Sequence, residues 1–79
     1  MSAFTNTNNY LIIGSAGNRY FIHERECNKD GTPGKIQVMA DCKGNAKEAA
    51  KNFIDKGFNA NKIIINGQLA SDVFEKSKD

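Results

Sequence analysis

The chain has no tryptophan, one histidine and two cysteines, and its uninterrupted apolar runs, such as Leu11–Ile13 and Ile63–Ile65, are only three residues long. Each shortage excludes something. A membrane-crossing helix needs roughly 18 apolar residues in a row, so no membrane partner is expected. Two cysteines are too few for a disulfide scaffold. His23, Cys27 and Cys42 show neither a CxxC nor an HxxxH spacing, so neither a metal nor a cofactor is expected. No serine or cysteine stands in a nucleophile-elbow or Cys/His arrangement, and the reading is of a protein that is not an enzyme. The first nine residues lack a basic stretch, which argues against a secretory signal and for the cytoplasm. Eleven basic and nine acidic residues leave a net charge of +2, too balanced to name a nucleic-acid or membrane partner by itself.

Two local patterns that resemble chemistry have simpler readings. Gly14-Ser15-Ala16-Gly17 lacks the Lys-Ser/Thr ending of a phosphate loop and leads into a strand, so it reads as a hairpin loop. Glu24 and Glu26 share a strand face with Arg25 between them, which reads as a solvated strand end that discourages edge pairing.

What the chain does have is turn formers, with ten asparagines and seven glycines in 79 residues, and one strongly patterned helix. A domain this small hides only about 60–65% of its unfolded surface, so every large apolar side chain counts. From 45 to 57, Ala46, Ala49, Ala50, Phe53 and Ile54 form one apolar stripe at helical spacing. Asn45 is placed to cap the first turn, with Glu48 three residues on to reach back. Gly57 supplies the stop, and Phe58 can fold back onto Phe53.

Around that helix the sequence predicts strands at 9–13, 19–26 and 35–41, a fourth at 62–65 and a short fifth at 68–70 after the Asn66-Gly67 turn signal. Residues 1–8 read as a polar leader and 71–79 as a polar tail, the rival for the tail being a brief helix from Ser71 or Asp72 through Lys76. The expected fold is α+β: an antiparallel three-stranded meander, one amphipathic helix on one sheet face, then two further strands. The fourth strand should run parallel to the first, docking beside either the first or the third. Centring the first hairpin on Ala16 sets Tyr10 opposite Ile22, Leu11 opposite Phe21 and Ile12 opposite Tyr20. Centring the second near Gly31 sets Ile22 opposite Ala40 and Glu24 opposite Val38. The helix should then cover Tyr10, Ile12, Tyr20, Ile22, Ile36, Val38 and Ala40. Cys42 falls opposite Tyr20, about 20 Å or more along the strand from Cys27, too far for a bridge.

The opposite face would carry Leu11, Ile13, Phe21, His23, Arg25, Gln37 and Met39. An uncovered apolar patch on a small protein marks an interface, and Leu11, Phe21, His23, Arg25 and Met39 are the expected partner-binding residues. The leader, with Phe4, or the tail, with Val73 and Phe74, could instead fold over that face. A second candidate is the basic series Lys43, Lys47 and Lys51 at spacing four, at a helix N-terminus that favours anions.

The run Lys43-Gly44-Asn45-Ala46-Lys47-Glu48-Ala49-Ala50-Lys51 resembles the start of the last helix of double-stranded-RNA-binding domains, which implies phosphate contact by those lysines. The resemblance covers about half the chain; a strand at Tyr10–Ile13 stands where that family has its first helix. In format, an Asn/Lys/Ile-rich chain with an antiparallel sheet, one helix and no catalytic set, the protein resembles the small inhibitors of bacteriophages and mobile elements, anti-CRISPR proteins among them. That resemblance implies occlusion of a host defence complex, with the apolar face serving a protein partner or a homodimer. The alternative is an RNA- or DNA-binding module using the basic helix face.

Overall fold

The computed structural model describes residues 7–76, so most of the leader, Phe4 included, and the end of the tail lie outside the described residues. In chain order come β1 (Tyr10–Ala16), β2 (Arg19–Cys27), β3 (Pro33–Lys43), α1 (Ala46–Asp55), a 3-10 turn (Ala60–Lys62), β4 (Ile63–Ile65), β5 (Gln68–Leu69) and α2 (Ala70–Lys76). The five strands form one mixed sheet in the order β3-β2-β1-β4-β5. The fold is α+β, but the sheet is not a purely antiparallel meander, and the described residues form two α-helices. β4 runs parallel to β1 and docks beside it, so β1 is the central strand.

α1 begins and ends for the reasons written into its sequence. Asn45 Oδ1 accepts from the backbone N–H groups of Lys47 (2.8 Å) and Glu48 (3.2 Å). Only that half of the expected capping box forms. At the other end Gly57 takes φ +108°, and two backbone bonds close the stop: Phe58 N–H to Phe53 C=O and Gly57 N–H to Ile54 C=O, each 3.0 Å. Phe53 and Phe58 meet edge-on at 5.3 Å between ring centres.

The first hairpin differs from expectation. Its turn is the two residues Gly17-Asn18, with Gly17 at φ +64°, and the strands continue through Ser15 and Ala16. Leu11 therefore lies opposite Glu24, Ile12 opposite His23 and Ile13 opposite Ile22. The pairing is displaced by three residues from a register centred on Ala16. An odd displacement exchanges the two faces of a strand. Leu11 and Ile13 consequently point into the core and are essentially inaccessible, while Tyr10 and Ile12 stand on the other face.

The second hairpin pairs Ile22 with Ala40, Glu24 with Val38 and Tyr20 with Cys42, as expected. Beyond Glu24 the register shifts, so that Arg25 is opposite Ile36 and Cys27 opposite Pro33. This bulge moves Ile36 away from the helix side and leaves it exposed. Cys27 and Cys42 are free thiols at opposite ends of the hairpin.

The core gathers Leu11, Ile13, Ile22, Ile63 and Ile65 from the sheet with Ala46, Ala50, Phe58 and Ala70 from the helix layer. After β5 the chain forms α2 through Lys76, the rival reading of the tail, beginning at Ala70. Ala70, Val73 and Phe74 follow helical spacing, with Ala70 fully buried and Phe74 packed on the core. α1 lies over β1 and β4, and α2 over β4 and β5. Both helices are on one side of the sheet, and the β3 edge extends beyond them.

Candidate binding surface

The sheet face opposite the helices is assembled by register alone. Pairing across all five strands sets Met39, His23, Ile12, Ile64 and Leu69 in one transverse row, β3 to β5. Met39 is 66% exposed and Leu69 is also open; Ile12, His23 and Ile64 are half-buried among their neighbours. His23 is the one polar member of this row. Along β2 the same face carries Arg19, Phe21, His23, Arg25 and Cys27 at every second position, because strand side chains alternate. Phe21 is 44% exposed. A shallow depression of about 310 Å³ lined by Phe21, His23, Met39, Ala40 and Asp41 opens beside it.

The polar groups of this face are partly tied down. Asp41 accepts from Arg19 Nε (3.0 Å) and Nη2 (2.9 Å) through the same oxygen, Oδ1. Arg25 Nη1 donates to the Gly34 carbonyl at 3.0 Å. At one end of the face the Tyr10 hydroxyl donates to the Gly31 carbonyl in the β2–β3 loop, and Lys62 Nζ lies 6.0 Å from the Tyr10 ring centre.

Of the expected partner-binding residues, Phe21, His23, Arg25 and Met39 do share this face. Leu11 does not: it is 0% exposed beneath the helix layer, for the register reason given above. Tyr10, Ile12, Ile36, Ile64 and Leu69 take its place. Reading Gly17-Asn18 as a two-residue turn would have revealed Tyr10 and Ile12; the others depend on where β4 docks and on the β3 bulge, which no local pattern announces. Phe74 does not fold over this face, since it lies in α2 and joins the core from the helix side. Thr7 also runs on the helix side, near Gly57.

The basic series is divided. Lys47 and Lys51 are exposed on α1, but Lys43 ends β3 and by alternation stands with Met39 and Asp41 on the open face. At the α1 N-terminus the Asn45 side chain already accepts from the Lys47 and Glu48 N–H groups, and Glu48 adds a negative charge to the first turn. Glu24 departs furthest from expectation. It is not at a solvated strand end but 3% exposed, between Leu11 and Val38.

Among the described residues, no three His, Cys, Asp or Glu side chains converge as metal ligands, and no helix is long and apolar enough to cross a membrane. Fold and surface together define a class: a small α+β protein with a mixed five-stranded sheet, helices on one face and, among the described residues, no element over the other. No family model matches the chain, no curated protein is similar to it, and no solved structure matches it.

Proposed function

We propose that this protein is a non-catalytic binding module, acting in the cytoplasm, whose working surface is the open face of the sheet. One observation carries the reading. A row of Met39, His23, Ile12, Ile64 and Leu69 crosses all five strands, with exposed Phe21 beside it, and neither helix lies over it. Small soluble proteins rarely leave such a patch without a partner, and Phe, Met and Arg are the residues favoured at interface centres. An inhibitor of the phage-borne kind, which works by occluding part of a host complex, needs no more of its chain than such a face.

Affinity capture from a host lysate, with protein read by mass spectrometry and nucleic acid by end-labelling, tests this. Wild-type bait should retain a partner that Phe21→Asp and Met39→Asp baits lose, while a Lys47→Ala/Lys51→Ala bait keeps it. Loss confined to the lysine variant would transfer the function to the helix face. Retention by all three baits would refute the module.

A further inference from the structure

The chemistry of β2 narrows the partner, on the reading that the open sheet face is the working surface. Its first four positions on that face are Arg19, Phe21, His23 and Arg25, and Cys27 ends the strand as the fifth. The first four side chains end in planar π groups: guanidinium, phenyl, imidazole, guanidinium. At roughly 3.3 Å per residue they stand about 7 Å apart and span about 20 Å. Aromatic rings and guanidinium planes are the groups on which unpaired bases stack. We propose that the open sheet face binds single-stranded nucleic acid, with bases laid along the β2 column and phosphates held by Arg19, Arg25 and Lys43.

Charge supports the assignment. Arg19, Arg25 and Lys43 flank the apolar row, and Asp41, the carboxylate among them, is already held by Arg19. A guanidinium has five donors; Arg19 directs two of them at Asp41 and Arg25 one at Gly34, leaving the remainder for an incoming anion. The depression beside Phe21 and Met39 adds an apolar recess next to the column. The same charges disfavour a second copy of this chain, because two such faces brought together would oppose like charges.

Width argues against insertion into the major groove of a duplex. Five strands spaced about 4.8 Å apart make a surface about 19 Å across. The major groove, about 12 Å wide, admits a two-stranded ribbon but not such a sheet. A flexible strand with splayed bases can lie along it instead.

Fluorescence anisotropy of labelled 20-nucleotide oligouridylate and oligothymidylate tests the assignment. Binding is expected at 50 mM salt. With three phosphate contacts it should weaken roughly twentyfold on going to 200 mM. Phe21→Ala and Phe21→Leu should each weaken binding by about 5- to 150-fold, while Phe21→Tyr, which keeps the ring, should retain it. Lys47→Ala/Lys51→Ala should leave it within about twofold. Absence of binding at 50 mM, equal competition by duplex, or full affinity in Phe21→Leu each overturns the assignment. Should lysate capture still depend on Phe21 and Met39 while the oligonucleotides fail to bind, the face serves a protein: this inference falls and the binding module stands. A concentration-dependent dimer mass that Met39→Asp abolishes, without oligonucleotide binding, gives the face to a second copy and likewise overturns it.

Discussion

Glu24 Oε2 accepts a 2.6 Å hydrogen bond from Asn9 Nδ2, while its other oxygen, Oε1, is buried with no partner. A carboxylate inside the sheet costs free energy unless its lone pairs are satisfied, and here one side is left unmet. Replacing Glu24 with Gln keeps an acceptor for Asn9 and removes the buried charge. Glu24→Gln is expected to change urea-unfolding stability by less than about 1 kcal/mol or to raise it, whereas Asn9→Ala should cost about 1–3 kcal/mol. A larger loss for Glu24→Gln than for Asn9→Ala would show that the charge itself is needed.

Leu11 and Met39 separate core from surface. Leu11 is fully enclosed, and Met39 is the most exposed of the large apolar side chains identified on the sheet. Leu11→Ala should destabilise by about 2–5 kcal/mol; Met39→Ala should stay within about 0.5 kcal/mol. Comparable losses at the two positions would mean that Met39 is covered in solution.

Asn66 joins the β4–β5 turn to β1. Its N–H donates to the Ile13 carbonyl (2.9 Å), its side-chain oxygen accepts from Ser15 N–H (2.9 Å), and its amide donates to Ser15 Oγ (3.1 Å). It also holds φ +50°, with Gly67 at +86°. Asn66→Gly keeps the backbone freedom and loses the two side-chain bonds, an expected cost of about 1–2 kcal/mol. Asn66→Ala adds left-handed strain of about 1–2 kcal/mol more. Equal melting temperatures for the two variants would place the whole effect in the bonds.

Gly57 stops α1 at φ +108°. Gly57→Ala should cost about 1–2 kcal/mol in thermal or urea unfolding, since an L side chain is strained there. No loss would mean that the stop has an alternative backbone path.

Asp30 titrates below the ordinary aspartate range, because the Thr32 hydroxyl (2.6 Å) and Thr32 N–H (3.1 Å) both donate to its Oδ1. A carboxyl held down in the folded state favours folding above its unfolded value and loses that favour as pH falls through the folded one. Thr32→Ala should move the Asp30 carboxyl up toward the ordinary range in a carbon-13 NMR titration. An unmoved value would remove the hydroxyl as the main cause.

Local chemistry determined α1 without tertiary help. Asn45, the Ala46-to-Ile54 stripe and Gly57 act within one or two helical turns of each other, so neighbouring letters suffice. The same holds for the Asn66-Gly67 turn and for the second hairpin through Glu24. The β1 face was also legible in principle, since Gly17-Asn18 is a local signal, but a five-residue loop and a two-residue turn differ by an odd offset, and that parity decides whether Leu11 or Ile12 is buried. Other features had no local signature. β4 could pair with either parallel strand, and only its docking beside β1 carries the open row out to Ile64 and Leu69. The β3 bulge and the burial of Glu24 likewise arise from contacts between residues far apart in sequence. Sequence alone thus determined which segments fold, because hydrogen bonds and side-chain period are local. Which residues face outward was decided by the sheet, because that depends on how separate strands are brought into register.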